Sequence, residues 1–213
     1  MTPMHSPQPA PPSPWICRWS HLVPPGSPVL DVACGSGRHL RWFHERNHPV
    51  AGLDKSQDAI DNAARFAEAI QCDLEAGPWP LPGRSFGAVI VTHYLWRPLF
   101  PAILASVAPG GVLLYETFAV GNAAFGRPAR PEFLLRPGEL LELCAGLRIV
   151  AFEEGLEECA EAPCRFADPA ESPDSGRAGG AELRMRCIQR IAAIRPAGGQ
   201  TASMEPGALP RLR

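Results

Sequence analysis

Short apolar runs alternate with amphipathic stretches along most of the chain. Five such runs lie at 29–34, 50–54, 69–75, 87–95 and 112–118. Each run has the length of a buried strand, and the segments between the runs carry apolar residues at helical spacing. Strands that alternate with helices in this way form a parallel sheet that is covered on both faces.

Two further apolar runs follow, at 147–155 and 187–195. The stretch between them, 156–186, is rich in Pro, Gly, Ser, Asp and Glu and contains no clear helical pattern. Without a crossover helix, these two strands are expected to pair antiparallel. The sequence therefore predicts an α/β fold, a doubly wound and mainly parallel seven-stranded sheet with helices on both faces and an antiparallel last strand.

Composition predicts where the folded domain begins and ends. Residues 1–14 are dense in proline and are predicted to be a disordered lead, without the basic and apolar regions of a secretory signal. The folded domain is predicted to span 15–195, with a mobile insertion at about 157–184, and 196–213 is predicted to be a disordered tail. No apolar run approaches the ~20 residues of a membrane-spanning helix.

Charge and cysteine content narrow the choice of partners. The chain is 46% hydrophobic and 20% charged, like ordinary globular proteins, and its formal net charge is −2. This charge gives little attraction to nucleic acid or to anionic membranes, so neither is an expected partner. The seven cysteines are an odd number and are scattered along the chain, which favours reduced thiols in a cytoplasmic protein. No metal site is predicted, because Cys159 and Cys164 lack a second pair of ligands. The oligomeric state stays open.

A glycine turn follows the first predicted strand, in the sequence VLDVACGSGRHL at 29–40. Gly35 and Gly37 lie between this strand and the next helix, where ligands bind at the carboxyl edge of a doubly wound sheet. Glycine there lets the backbone approach a ligand closely. The dinucleotide fingerprint G-x-G-x-x-G has a third glycine, which is Leu40 here, so a nicotinamide dinucleotide is the weaker interpretation.

The segment DVACGSG, 31–37, resembles the first motif of class I S-adenosylmethionine-dependent methyltransferases, an acidic residue followed by x-x-x-G-x-G. The resemblance covers about 29–195 and implies a Rossmann-like methyltransferase fold with S-adenosylmethionine as cofactor. In that family the second strand ends in an acidic residue that holds the ribose, and residues after the third strand contact the adenine. The implied cofactor-binding residues are Asp31, Gly35 and Gly37 at the methionine end, Asp54 at the ribose, Cys72 and Asp73 at the adenine, and Thr92 near the methionine.

The residues after the fourth strand would meet the methyl acceptor. His93 and Tyr94 are the candidate catalytic residues, and His93 is a candidate general base. The alternative is a structural role, with Trp96 packed under the next helix and Phe125 in a loop packed on the domain. The candidate acceptor-binding residues are Trp96, Glu116, Phe125 and Arg127, and the last two belong to a possible lid with Asn122 and Arg130.

The resemblance implies a methyltransferase, and the predicted acceptor is a small molecule. Positions 92–95 read Thr-His-Tyr-Leu and lack the two prolines that the family's nucleic-acid amino-methylating members carry there. Aromatic walls with a few polar groups suit a compact ligand better than a phosphate backbone. The alternatives are an RNA or protein methyltransferase that works with a partner subunit, and a catalytically silent scaffold that binds S-adenosylmethionine.

Overall fold

The computed structural model describes residues 10–159 and 184–198. The rest of the predicted lead, most of the predicted insertion and the end of the predicted tail lie outside the described residues. Within them, no helix is long and apolar enough to cross a membrane.

One sheet of seven strands, in the order β3-β2-β1-β4-β5-β7-β6, forms the centre of the domain. Neighbours from β3 to β5 pair parallel, and β7 pairs antiparallel with both β5 and β6. This confirms the predicted fold, including the antiparallel last strand. The strands are β1 (Val29–Val32), β2 (Val50–Asp54), β3 (Glu68–Gln71), β4 (Phe86–Thr92), β5 (Val107–Phe118), β6 (Arg148–Cys159) and β7 (Arg184–Ile194).

Helices cover both faces of this sheet, as predicted. One apolar cluster joins α1 and α2 to the sheet through Trp15, Trp19 and Phe43. The other joins α4 and α5 to the opposite face through Phe100 and Leu140. The helices are α1 (Pro14–Trp19), α2 (Arg38–His44), α3 (Gln57–Ala63), α4 (Phe100–Ala105) and α5 (Glu139–Leu143).

The position of the site follows from the strand order. The chain runs outward from β1 through β2 to β3 and then returns to place β4 on the other side of β1. The order of the strands therefore reverses between β1 and β4, and their carboxyl ends open a crevice there. Both strands are buried along their whole length, which fixes the crevice on a rigid base.

The domain boundaries differ from the predicted ones. Helix α1 begins at Pro14, and Ser13 is its buried N-cap, so the folded domain includes at least two residues that were assigned to the lead. Proline suits the first position of a helix, because the missing N–H has no intrahelical partner there. Similarly, β6 continues to Cys159 and β7 starts at Arg184, inside both ends of the predicted insertion.

Candidate active site

The glycine turn after β1 leaves an open space beside Gly35. Both Gly35 (φ 53°) and Gly37 (φ 78°) have left-handed backbone conformations, which favour glycine. A Cβ on Gly35 would meet no atom within 4 Å, whereas one on Gly37 would lie 3.3 Å from Phe66 Cζ and 3.4 Å from Ala63 Cβ. Gly35 is thus the glycine that leaves room for a ligand, and Gly37 allows α2 to pack against its neighbours.

Asp54 closes the second side of this space. Its Oδ2 accepts a hydrogen bond from Gly35 N–H at 2.8 Å, and its Oδ1 accepts from Ser56 N–H at 2.9 Å. A carboxylate has about four acceptor positions, so each oxygen retains one for a further donor. This half-buried carboxylate therefore suits two neighbouring hydroxyl groups of a ligand, as the ribose prediction requires.

Cys72 and Asp73 lie beyond the end of β3, next to Asp54. Cys72 N–H donates to the Asp54 carbonyl oxygen at 2.9 Å, and burial is the main cause that raises the pKa of its thiol. Asp73 is exposed, and its Oδ1 accepts from the backbone N–H groups of Glu75 at 2.9 Å and Ala76 at 3.2 Å. Asp73 therefore caps a turn in addition to its predicted contact with the adenine.

Asp31 forms a buried negative charge under the glycine turn. Its side chain is fully buried, and neither carboxylate oxygen has a hydrogen-bond partner among the described residues. The nearest basic atom is His39 Nδ1, 3.4 Å from Asp31 Oδ2. An unsatisfied buried carboxylate is costly, so this position favours a cationic ligand group such as an α-ammonium. The methionine end of S-adenosylmethionine carries such a group.

Thr92 is the last residue of β4, and His93 follows it. His93 has a left-handed backbone (φ 55°), and its ring stacks on Phe118 with centroids 5.1 Å apart. Its Nε2 lies 3.0 Å from Arg186 Nη1 and 3.9 Å from Glu116 Oε1. Burial, followed by the charges of Arg38 and Arg186, lowers the pKa of His93 to about 3. The imidazole is therefore neutral at physiological pH.

Tyr94 and Trp96 are partly buried in the apolar core. Both pack against the apolar cluster on the α4 and α5 face, and the Tyr94 hydroxyl is buried without a hydrogen-bond partner among the described residues. Burial first, and then Glu75, Asp73 and Cys72, raise its pKa, so Tyr94 lies near the end of β3. The predicted catalytic pair is therefore divided between two flanks of the site.

Glu116 is not an exposed wall, contrary to prediction. The side chain is 1% exposed, its Oε1 accepts from the Ser13 hydroxyl at 3.0 Å, and its Oε2 lies 3.4 Å from Arg190 Nη1. The folded N-terminal segment covers this carboxylate. Sequence reasoning missed Ser13, His39 and Arg186, because their contacts join segments that are distant along the chain and no local pattern marks them.

Arg97 and Asn122 hold the loop that follows β5. Arg97 donates to both carboxylate oxygens of Glu139, at 2.7 and 2.8 Å, and to the carbonyl oxygens of Glu132 and Leu134. Asn122 is buried and bonds to Pro128 O and Cys187 N. Two other predicted residues lie on the exposed part of this loop, Phe125, which is 46% exposed, and Arg127.

Comparison with known proteins agrees with this geometry. The sequence profile of a family described as a methyltransferase domain matches residues 29–111, which include the glycine turn, Asp54, Asp73 and His93. Residues 29–111 are therefore similar to a methyltransferase domain, the part of the chain that holds the motif of the class I S-adenosylmethionine-dependent methyltransferases. This similarity agrees with the family and the cofactor that the DVACGSG motif implied.

Two relatives of this chain are named for different methyl acceptors. A malonyl-[acyl-carrier protein] O-methyltransferase from Serratia marcescens is 33% identical over 107 residues, which is 46% of this chain and 41% of that protein. A dTDP-3-amino-3,4,6-trideoxy-alpha-D-glucopyranose N,N-dimethyltransferase from Streptomyces venezuelae is 35% identical over 115 residues, 46% of this chain and 48% of that protein. The chain thus spans less than half the length of either relative.

A solved structure shows the same fold over most of the chain. An S-adenosylmethionine-dependent methyltransferase from Methanosarcina mazei superposes with a TM-score of 0.62 at 14% identity, covering 88% of this chain and all of that one. At this identity the likeness concerns the fold alone.

Asp54→Ala is expected to weaken binding of S-adenosylhomocysteine by about 2 kcal/mol, because a charged acceptor of ligand hydroxyls is lost. Isothermal titration calorimetry measures the change. Asp61→Ala is the matched control, since Asp61 is exposed on α3 and bonds only to Gln57 among the side-chain contacts described. Equal dissociation constants for Asp54→Ala and the wild-type protein would contradict the ribose assignment.

Proposed function

We propose that this protein transfers the methyl group of S-adenosylmethionine to a small-molecule acceptor. The observation that carries the proposal is the open space beside Gly35, whose N–H donates to Asp54, together with the unsatisfied Asp31 carboxylate at the end of the strand before this turn. These groups suit the ammonium and the ribose hydroxyls of one ligand. The relatives are named for a malonyl-[acyl-carrier protein] and a sugar nucleotide, which supports an acceptor other than RNA.

One set of residues would bind the cofactor, and a second set would orient the methyl acceptor. When bound, S-adenosylmethionine supplies an electrophilic methyl group on a sulfonium. On the cofactor side, Asp31 would bind the ammonium, Asp54 the hydroxyl groups, and Cys72 and Asp73 the adenine. Thr92 would lie near the methionine of the cofactor, and on the acceptor side His93, which follows it, would orient the nucleophile.

The low pKa of His93 changes the role proposed for it. A base whose conjugate acid has a pKa of about 3 is a weak proton acceptor at neutral pH. We therefore propose that His93 orients the acceptor through its neutral ring, and that the acceptor brings its own nucleophilic lone pair. A thiolate, a carboxylate or a neutral amine meets this requirement without a general base.

Because the neutral form of His93 predominates above its pKa of about 3, its titration is expected to leave the turnover rate unchanged between pH 5 and 8. The rate would fall only as the pH drops toward 3, where the ring gains a proton. The measurement is kcat as a function of pH for the wild-type protein and for His93→Gln. If kcat of the wild-type protein changed with a pKa between 5 and 7 and kcat of His93→Gln did not, His93 would titrate between pH 5 and 8. That result would contradict the proposed neutral role.

The two alternative functions are weaker. An RNA or protein methyltransferase that borrows recognition from a partner subunit would need a docking surface in addition to this site. A silent scaffold that binds S-adenosylmethionine would need the cofactor side of the site, but it would not need the acceptor side on which His93 lies. Both alternatives remain outcomes of the following experiment.

Incubation with methyl-labelled S-adenosylmethionine and size-fractionated cell extract tests the proposed function. We expect label in the small-molecule fraction. Label in RNA or protein alone would replace the proposed acceptor class, and no label in any fraction would favour the scaffold. Gly35→Val serves as the negative control, because its cofactor space is filled.

A further inference from the structure

Ser13 joins the cofactor side of the site to the acceptor side. It is 4% exposed, its N–H donates to His39 Nε2 at 3.1 Å, and its hydroxyl donates to Glu116 Oε1 at 3.0 Å. His39 belongs to the helix after the glycine turn, and Glu116 lies near the end of β5. Ser13 also precedes the part of the chain that the family profile matches, which begins at residue 29.

The backbone of Ser13 determines where His39 carries its proton. A backbone N–H can only donate, so His39 Nε2 must be the acceptor, and the neutral ring then has its proton on Nδ1. Nδ1 faces Asp31 Oδ2 at 3.4 Å. Asp31 has no hydrogen-bond partner among the described residues, so the only help that this N–H gives its carboxylate is electrostatic, across 3.4 Å.

The hydroxyl of Ser13 determines how Glu116 faces His93. It holds Oε1, the carboxylate oxygen that lies 3.9 Å from His93 Nε2, while the Glu116 backbone oxygen accepts from His93 N–H at 2.8 Å. If the hydroxyl were removed, Oε1 would lose a donor inside the protein. The carboxylate would then lose its fixed orientation beside His93, because His93 Nε2 accepts from Arg186 and has no proton to replace the lost donor.

We propose that Ser13 is a positioning residue for methyl transfer, which orients Asp31 through His39 on the cofactor side and His93 through Glu116 on the acceptor side. The turnover part of this inference rests on the proposed function. The competing explanation is helix capping alone, because the Ser13 hydroxyl also accepts from Trp15 N–H at 3.2 Å as the N-cap of α1.

Three substitutions separate the two explanations. Ser13→Gly removes the hydroxyl but keeps the N–H, and glycine is itself an acceptable N-cap. Ser13→Pro removes the N–H as well, and the φ of −56° at this position lies within the range of proline. Ser13→Thr keeps both groups. Ser20→Ala is the matched control, since its hydroxyl bonds to Cys17 O at the other end of α1.

On the cofactor side, Ser13→Pro is expected to weaken S-adenosylhomocysteine binding about tenfold in calorimetry, the effect of one lost polar interaction. Nitrogen-15 NMR of the His39 ring should show loss of the Nδ1–H tautomer in the same variant. Ser13→Gly, Ser13→Thr and Ser20→Ala should bind within about threefold of the wild-type protein. If Ser13→Pro fails to fold, His39→Phe replaces it, with the same expected loss of affinity.

On the acceptor side, the measurement is turnover on the extract fraction that the wild-type protein labels. Ser13→Gly is expected to lower kcat about tenfold while the KM for S-adenosylmethionine stays within about threefold, and Ser13→Thr should restore kcat. A purely structural role would change the melting temperature without this split between kcat and KM.

Two results would overturn the proposal. One is wild-type affinity and an unchanged His39 tautomer in Ser13→Pro, or wild-type affinity in His39→Phe if it is used instead. The other is wild-type turnover in Ser13→Gly. If the wild-type protein labels nothing, the proposed function has failed, and the binding and NMR measurements alone decide the role of Ser13.

Discussion

Gly35→Val is expected to weaken binding of S-adenosylhomocysteine at least about 100-fold, or ~3 kcal/mol, in isothermal titration calorimetry. The valine side chain would fill the space that Gly35 leaves open, where a Cβ meets no protein atom within 4 Å. A β-branched residue also resists the left-handed conformation at φ 53°, which adds a folding cost of about 1–2 kcal/mol.

Gly26→Val separates these two effects. Gly26 has φ 68°, and a Cβ there also meets nothing within 4 Å, but it precedes β1 at the opposite edge of the sheet. Both variants should lose a similar amount of stability in urea denaturation, and only Gly35→Val should lose the ligand. Tight binding by Gly35→Val would place the cofactor elsewhere.

Glu139→Gln is expected to lower the free energy of unfolding by about 3 kcal/mol at pH 7, because it leaves Arg97 without its buried carboxylate. Glu139 is 2% exposed and accepts two hydrogen bonds from Arg97 and one from the Arg136 backbone at 2.8 Å. The Arg97 hydrogen bonds, opposed by burial, hold the pKa of Glu139 at about 2, below its usual 4.5.

The acid dependence of stability tests the same pair. Because the folded-state pKa is lowered, the contribution of Glu139 is complete above pH 4.5 and is lost as the pH falls toward 2. Glu139→Gln should therefore show a shallower loss of stability over this range than the wild-type protein. Glu142→Gln is the control, since its exposed pair with Arg136 contributes less than about 0.5 kcal/mol. Equal stabilities of Glu139→Gln and Glu142→Gln would contradict the assignment.

Hydrophobic patterning predicted all seven strands and their arrangement, and errors arose where local chemistry ends or extends a strand. The third strand was expected to reach residue 75, but it ends at Gln71 because Asp73 caps the following turn. The fifth was expected to begin after Pro109-Gly110-Gly111 and instead begins at Val107. Those residues lie in a strand irregularity, where the register against β4 shifts.

Cofactor-side residues were predictable because they are fixed by the ends of consecutive strands, as Asp54 is at the end of β2. The surroundings of the acceptor-side residues could not be predicted in this way, because they depend on contacts between segments that are distant along the chain. Because of its prolines, the stretch before residue 15 was predicted to be disordered. No pattern in the sequence therefore indicated that Ser13 would bond to Glu116 and help to bury it. Likewise, nothing in the sequence around Arg186 indicates that it would reach His93.

The hairpin of β6 and β7 has a consequence for redesign of this protein. Cys159 and Arg184 are register partners at the ends of these two strands, and eleven register pairs join β6 to β7. The entropy of closing a loop grows only slowly with its length, by about 0.6 kcal/mol for each doubling. We therefore expect the chain between Cys159 and Arg184 to accept an inserted peptide tag or reporter domain. Such an insertion should alter neither the glycine turn nor the strand order.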